Sequence, residues 1–270
     1  MKTKLSLFII SLILVSCGSI ERVVKVYNPS TFDRENEMVE VKASELKIKN
    51  TEVVLKDAMG KEIAYQWIYN GEKKPQSLIF PVNLISKETA VFNITKGKPA
   101  TVKTKTWAGF IPERKDDFAW ENDLAAYRMY GPALANENPS NGVDLWLKST
   151  SDTVVTKRYR DELKNGLSYH IDRGTGLDCY KVGHTLGAGG IAPYYKDSLW
   201  VGNHFSSYKI LDNGPLRSTF RLTYDAVNVD GNSFKQTITI STTAGSMLNK
   251  AEVKYEGSEI PMKLAGGIFL

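Results

Sequence analysis

The chain has 270 residues, a formal net charge of +5 and 42% hydrophobic residues, a composition typical of a globular protein. Its cations are interspersed with acids, and a chain without a basic stripe is not expected to bind nucleic acid. A mild positive balance suits an anionic ligand without requiring one.

The N-terminus has the pattern of a secretory signal peptide. Lys2 and Lys4 precede an apolar run at residues 5–15, which is too short to cross a bilayer as a permanent helix. The run ends in Leu14-Val15-Ser16-Cys17, which resembles the bacterial lipobox, where the cysteine is lipidated. We therefore predict a lipoprotein signal peptide at residues 1–16, lipidation of Cys17 and a tether at residues 17–22. A plain signal peptide with an incidental cysteine is the alternative.

Lipidation would place the protein on a membrane. The lipid anchor would make it an outer-membrane lipoprotein that faces the periplasm or the cell surface. Removal of residues 1–16 leaves 254 residues, enough for one large β domain or two smaller domains. With Cys17 lipidated, Cys179 has no partner for an intramolecular disulfide.

Residues 23–98 have the spacing of short strands and turns that is typical of a small β-sandwich. Short apolar segments are interrupted by turn residues at regular intervals, which predicts strands at residues 23–27, 39–42, 52–55, 62–68, 78–82 and 90–94. Lys96-Gly97-Lys98-Pro99 is the predicted boundary with the remainder of the chain, residues 99–270.

The remainder of the chain is also predicted to be β. Period-two alternation of polar and apolar residues predicts strands at residues 220–224, 233–240 and 250–255. Residues 116–130 fit a helix or strands, and we favour extended structure because Gly131-Pro132 ends the run abruptly. Tight turns are predicted at five dipeptides, Asn70-Gly71, Asn141-Gly142, Asn165-Gly166, Asn213-Gly214 and Asp230-Gly231. Residues 266–270 look like the start of a further strand, so we expect this domain to be partial.

A dense set of reactive side chains lies at residues 169–184. It includes His170 and His184, which could act as bases, together with Tyr180 and Lys181. Glycines in this segment allow tight turns and close approach to a ligand. A turn-rich connection whose polar groups satisfy one another is the alternative.

The same segment has a partial metal-binding pattern. Asp172, Gly174, Gly176 and Asp178 alternate as in a calcium loop, but Gly183 stands where the glutamate is required. His170 and Asp172 lack a third zinc ligand at motif spacing. We predict neither a metal nor another cofactor.

A second set of polar side chains follows at residues 116–130. Trp120 could stack on a sugar, while Glu121 and Asp123 bind its hydroxyls. A solvated acidic turn with Trp120 in the core is the alternative. Arg217 follows a turn and could pair with a carboxylate, or be a surface charge on a strand.

Several long strings in the same order resemble one family. They lie at residues 113–123, 126–132, 176–183, 187–190 and 213–217, and they are similar to the family of domains of unknown function numbered 4861. The resemblance implies an exported protein of Bacteroidota, found among enzymes that degrade uronate-bearing polysaccharides. It also implies a main domain like the β-supersandwich of galactose mutarotases. Members normally continue beyond the position of Leu270.

This resemblance and the polar side chains together predict an enzyme that acts on uronate-containing oligosaccharides by elimination, as a lyase or a dehydratase. His170 or His184 would be the base, Arg128 or Arg217 would bind the substrate carboxylate, and Tyr130 or Tyr180 would be the acid. We expect His170, His184, Arg128, Tyr130 and Glu121 to converge on one cleft. A carbohydrate-binding lipoprotein without catalysis is the first alternative, and a sugar epimerase or mutarotase is the second.

Overall fold

The computed structural model describes residues 20–48, 51–137, 142–202, 204–257 and 261–270. The predicted signal peptide and Cys17 lie outside these residues. Within them the fold is all-β, as predicted, with two short α-helices and one short 3-10 helix. None of the described helices is long and apolar enough to cross a membrane.

Six strands form the N-terminal part of the described structure. They are β1 (Ile20–Tyr27), β2 (Arg34–Lys42), β3 (Val53–Asp57), β4 (Gln66–Ile68), β5 (Ser77–Leu84) and β6 (Thr89–Lys96), with helix α1 (Ala43–Leu46) after β2. They pair as two antiparallel three-stranded sheets, ordered β1-β6-β3 and β2-β5-β4. A shared core includes Leu55, Leu78, Phe80 and Ile94. Each of the six predicted strands overlaps an observed one.

Twelve further strands follow. They are β7 (Trp107–Ile111), β8 (Asp117–Glu121), β9 (Ala125–Met129), β10 (Asp144–Leu147), β11 (Ala188–Tyr195), β12 (Ser198–Leu199), β13 (Phe205–Asn213), β14 (Arg217–Tyr224), β15 (Val227–Val229), β16 (Asn232–Thr243), β17 (Asn249–Glu256) and β18 (Lys263–Ile268). The extended structure predicted at residues 116–130 is confirmed, because β8 and β9 form an antiparallel pair. Residues 266–268 also lie in a strand, β18.

Two of the sheets formed by these strands pack face to face. The four-stranded sheet β10-β9-β8-β7 packs against the sheet that contains β13, β14, β16, β15 and β17, which we call the main sheet. Their inner faces share an aromatic core, in which Phe118 and Trp120 contact Phe220 at ring-centroid distances of 4.4 and 5.0 Å. A smaller sheet, β12-β11-β18, completes the described strands. The glycine-rich residues 188–190 begin β11, which pairs with β18.

A helix covers the outer face of the four-stranded sheet. Helix α2 (Val155–Asn165) places Val155 and Tyr159 over Trp146 of β10. The hairpin turn predicted at Asn165-Gly166 is wrong. Gly166, with φ of 65°, is instead the left-handed C-cap of α2. Asn-Gly suits both roles, because each requires a positive φ that glycine adopts at low cost.

One buried glutamine joins the six N-terminal strands to the main sheet. Gln66 of β4 accepts hydrogen bonds from the backbone N–H groups of Leu216 and Arg217 at 2.7 and 2.8 Å. Its amide nitrogen donates to the carbonyl of Arg217 at 2.9 Å. Ile68 and Ile79 pack on Leu216 beside it. The link is therefore both polar and apolar.

We expect Gln66→Ala to lower the free energy of unfolding by about 1–3 kcal/mol, because two backbone donors at the junction lose their acceptor. Urea unfolding of the mature chain measures the change. Gln76→Ala is the matched control, because Gln76 is exposed and its side chain donates to the nearby carbonyl of Lys74. Equal stability of the two variants would contradict the structural role of Gln66.

Candidate functional site

Arg128 is the centre of a buried charge network. It lies on β9, on the face of the sheet opposite to the aromatic core, because side chains alternate along a strand. Its Nε and Nη2 donate to Asp144 Oδ2 at 2.7 and 2.6 Å. Nη2 also donates to Asp178 Oδ2 at 2.9 Å, and Nη1 lies 3.4 Å from Asp117 Oδ2. We call these four residues the arginine cluster.

Aromatic side chains shield the arginine cluster from water. The guanidinium carbon of Arg128 lies 4.9 Å from the ring centre of Tyr130 and 5.0 Å from that of Trp146. Tyr159 of α2 donates its hydroxyl to Asp117 Oδ2 at 3.0 Å. Arg128 is only 3% exposed, so its charge acts on its protein partners and is little screened by solvent.

Negative charge is in excess within the cluster. Two guanidinium groups, those of Arg128 and Arg114, contact its three carboxylates. Burial, and next the charge of Asp144, raises the pKa of Asp178 to about 6. Burial likewise raises the pKa of Asp117. The cluster therefore favours an additional positive charge nearby.

The segment that carries Asp178 is held along the edge strand β10. The N–H of Leu147 donates to the carbonyl of Leu177 at 2.9 Å, and the N–H of Ser149 donates to that of Thr175 at 3.2 Å. Gly176 has a φ of +90°, and a Cβ there would lie 2.2 Å from the carbonyl oxygen of Leu147. A glycine is therefore required for this approach.

His170 stands at the surface of the arginine cluster. Its Nδ1 lies 2.9 Å from the carbonyl oxygen of Asp178 and 3.6 Å from Asp178 Oδ2. A carbonyl oxygen only accepts, so Nδ1 carries the proton and Nε2 is the basic nitrogen. The His170 side chain is 57% exposed. The imidazole is thus oriented by Asp178 and accessible from solvent, which are the requirements of a general base.

A small cationic cavity lies beside this histidine. Tyr169 and Ile171, the neighbours of His170 in the chain, line a cavity of about 60 Å³. Its charged lining residues are Lys157, Arg158 and Arg173 with one carboxylate, that of Asp161, which pairs with Lys157. Arg158 is 7% exposed, and its Nε and Nη1 have no hydrogen-bond partner among the described residues. Such a cavity suits an anionic group.

The two predicted acids belong to one small cluster beside Arg128. Tyr130 and Tyr180 pack together with Leu134 and Val182. Burial, and next the charge of Asp144, raises the pKa of Tyr130, so its hydroxyl stays protonated at neutral pH. The hydroxyl of Tyr180 donates to the carbonyl of Phe269 at 2.6 Å. Lys181 and His184 are exposed in the same segment.

The structure corrects the interpretation of Trp120 as a sugar-stacking platform. Trp120 is 1% exposed and stacks on Tyr127, with 5.6 Å between the ring centres. Period-two alternation places it in the aromatic core. It borders a cavity of about 510 Å³ that is also lined by Tyr180 and in which no described side chain is charged. A uronate would find no counter-charge there.

Glu121, Asp123 and Arg128 are also engaged by the protein itself and not available to a sugar. Glu121 is fully buried, accepts from Lys148 Nζ at 2.9 Å, and accepts from the N–H of Val154 at 2.8 Å at the start of α2. Asp123 accepts from the N–H of Gly245 at 2.7 Å. Arg128 has no free face for a substrate carboxylate. The acidic run is therefore mainly structural.

Arg217 lies on the opposite side of the sandwich from His170. The apolar side chains of β14 face the aromatic core, and Arg217 alternates with them and points outwards. Its Nη1 lies 2.6 Å from Glu40 Oε2. His170 and Tyr130 both border the arginine cluster, His170 through Asp178 and Tyr130 through Arg128. The structure does not bring Glu121 or Arg217 to them.

Sequence reasoning missed Asp144 and Tyr159, the partners in the buried network. Asp144 stands alone between apolar residues, and Tyr159 lies in a charged segment that gives no sign of its contact with Asp117. Asp172, considered as a calcium ligand, accepts hydrogen bonds from the N–H groups of Gly174 and Gly176 at 2.8 and 2.9 Å and so closes a turn. Among the described residues no group of three or more His, Cys, Asp or Glu side chains is placed to hold a metal.

Comparison with known proteins identifies the family. Residues 26–270 match the family described as "Domain of unknown function (DUF4861)", and the chain belongs to this family. A curated relative, "Uncharacterized protein P7" of Formosa agariphila, is 27% identical over 258 residues, covering 89% of this chain and 65% of that protein. The chain thus spans less than two thirds of that relative's length.

Two solved structures from Enterococcus faecalis are distantly similar. One is a protein in the glycosyl hydrolase family 38, with a TM-score of 0.46, 11% identity and coverage of 90% of this chain and 32% of that one. The other is an α-mannosidase of strain V583, with a TM-score of 0.45, 11% identity and coverage of 90% and 30%. Likeness at this level carries no functional argument.

We expect the raised pKa of Asp178 to appear as a pH-dependent loss of stability. Its folded pKa of about 6 lies above the ordinary 3.8, so the folded state binds the proton more tightly. The resulting stability is present near pH 4 and is lost as the pH rises through about 6. Asp178→Asn mimics the protonated form at every pH. We subtract the free energy of unfolding of wild type from that of the variant at each pH, as measured with urea. This difference should be about 1–3 kcal/mol larger at pH 7.5 than at pH 4.5.

Asp152→Asn is the control for this measurement. Asp152 is exposed, and its hydrogen bond from Lys103 lowers its pKa. The corresponding change should therefore be small and of opposite sign. A stability difference between wild type and Asp178→Asn that does not vary with pH would contradict the electrostatic description of the cluster.

Proposed function

We propose that this chain acts on uronate-containing oligosaccharides by elimination, as a lyase or a dehydratase. The observation that carries the proposal is the exposed imidazole of His170, oriented by Asp178 and adjacent to a cationic cavity. The resemblance of the residue strings to a family found among enzymes for uronate-bearing polysaccharides supports the substrate class. A mutarotase-like β-supersandwich remains part of this proposal.

Elimination requires the transfer of one proton from carbon and the loss of one oxygen substituent. Nε2 of His170 takes the proton from the carbon next to the substrate carboxylate. The electrons of that C–H bond form a carbon–carbon double bond, and the bond from the neighbouring carbon to its oxygen breaks. The departing oxygen takes a proton from Tyr130 or Tyr180. It leaves as a sugar hydroxyl in a lyase and as water in a dehydratase.

The cationic cavity has a defined role in this reaction. Proton removal places negative charge on the substrate carboxylate, and cations at that point lower the energy of the transition state. Arg158 and Arg173 are positioned for this role beside Tyr169. They replace Arg128 and Arg217, whose carboxylate partners are protein side chains.

We expect His170→Ala to reduce the elimination rate by about 10²–10⁴-fold, because a general base acts in the transition state. Oligosaccharide binding should remain nearly intact. The assay follows near-ultraviolet absorbance of the unsaturated product on unsulfated and sulfated uronate oligosaccharides, with binding measured by calorimetry. The variant should unfold at the urea concentration of wild type, since the side chain is more than half exposed.

Three outcomes would contradict this assignment. Full activity of His170→Ala together with loss in His184→Ala would make His184 the base. If wild type binds the oligosaccharides but gives no absorbance change and no new product, the protein binds carbohydrate without catalysis. A product of unchanged mass without absorbance would indicate an epimerase or mutarotase.

We further propose that the protein is an exported lipoprotein anchored through Cys17, as the lipobox-like Leu14-Val15-Ser16-Cys17 predicts. Cys17→Ala should move the protein from the membrane fraction to the soluble fraction of cells, because the acyl chains would be absent. Immunoblots of the two fractions measure this. Unchanged membrane association of the variant would overturn the proposal.

A further inference from the structure

A polar groove lies on the outer face of the main sheet, where β2 and the turn after β4 approach it. Its volume is about 420 Å³, within the range of small-ligand sites. Arg217, Thr219 and Arg221 of β14 line it, together with Thr239 and Ser241 of β16 and Lys250 of β17. Two carboxylates, those of Glu40 and Glu252, also line it. We call it the polar groove.

The pairing of β14 with β16 orders the side chains of the polar groove into rows. Thr219 is opposite Ser241, and Arg221 is opposite Thr239. The hydroxyls of Thr219 and Ser241 lie 3.0 Å apart, and Arg221 Nε donates to Thr239 Oγ1 at 3.3 Å. Alternate residues on a strand are roughly 6–7 Å apart. The rows therefore present hydroxyl groups at a spacing comparable to that across a sugar ring.

One cation of the groove lacks an acidic partner. Arg217 pairs with Glu40 at 2.6 Å, and Lys250 pairs with Glu252 at 2.5 Å. Arg221 is exposed, and in the described parts of the chain its two terminal nitrogens contact no carboxylate. Its guanidinium can still donate two parallel hydrogen bonds.

A second observation also points to an anion. Lys209 of β13 is directly opposite Arg221 in the antiparallel register, so the two side chains lie on the same face. Lys209 is also exposed, and no acidic partner for it is found in the described part of the structure. Like charges at directly opposed positions are destabilising, and an anion between them removes the repulsion.

We infer that the polar groove binds an anionic sugar, at a site that is separate from His170 and not catalytic. Arg221 and Lys209 hold the carboxylate or sulfate of the sugar. The hydroxyl rows of Thr219, Thr239 and Ser241 bind its hydroxyl groups. Because the groove and His170 lie on opposite faces of the two-sheet sandwich, one sugar unit does not reach both. The groove holds one sugar unit of an anionic oligosaccharide, while the other sugar units of that oligosaccharide remain free.

The probes are glucuronate, neutral glucose and inorganic sulfate, each titrated calorimetrically into the mature chain. Glucuronate should bind and glucose should bind at least about tenfold more weakly, because a charged hydrogen bond is lost. Arg221→Gln should weaken glucuronate binding by about tenfold or more. Arg160→Gln, which removes an exposed arginine of α2, should change it less than twofold.

Ser241→Ala tests the hydroxyl rows. It should weaken glucuronate binding several-fold and leave sulfate binding unchanged, since sulfate contacts only the cations. Equal affinities for sulfate and glucuronate, with no effect of Ser241→Ala, would show an anion site without sugar recognition and overturn the inference. Equal binding by wild type and Arg221→Gln would also overturn it.

The inference and the proposed function fail separately. Binding that depends on Arg221, without any elimination, would leave the polar groove and remove the proposed reaction. Arg221→Gln could instead retain both elimination and the glucuronate affinity of wild type. That result would support the proposed reaction and contradict the groove as a sugar site. His170→Ala should not alter glucuronate binding in the groove.

Discussion

The buried guanidinium of Arg128 is the interaction on which the outer face of the four-stranded sheet depends. Desolvation of this cation costs several kcal/mol, and Asp117, Asp144 and Asp178 offset the cost. These carboxylates come from β8, from β10 and from the segment after α2. One side chain therefore fixes three parts of the chain that are far apart in sequence. Such a network adds little net stability, but loss of one partner leaves a buried charge unpaired, so its geometry is strongly specified.

The position of His170 is a consequence of this constraint. Residues 170–176 are largely exposed and contain little apolar surface to bury, so they have few contacts with which to order themselves. The ion pair of Asp178 with Arg128 holds the segment from one end, and the backbone bonds along β10 hold it from the side. A glycine-containing segment thereby presents an imidazole in a defined orientation. The polar groove on the outer face of the main sheet needs no buried ion pair to order it, because regular strand pairing fixes its side chains.

Local patterns predicted the strands, but not the partners of the polar side chains. Alternation at residues 220–224 and 250–255 specified β14 and β17, since one buried face imposes a period of two. A polar run with an aromatic residue looks the same at a surface and in a buried network. The sequence alone therefore does not show that Trp120, Glu121 and Arg128 are buried. The distinction depends on Asp144 and Asp178, which are 16 and 50 positions from Arg128. No spacing rule connects such positions.

The charge imbalance of the cluster connects the buried network with the proposed chemistry. When His170 accepts a proton it becomes a cation 3.6 Å from Asp178 Oδ2. The network beside it has three carboxylates and two contacting guanidinium groups, so its net charge is opposite in sign to that of an imidazolium. The same excess raises the pKa of Asp178. Protonation of Asp178 at lower pH removes one of the negative charges beside His170. The charge excess that destabilises the ionised fold is therefore the charge excess that faces His170 in the proposed reaction.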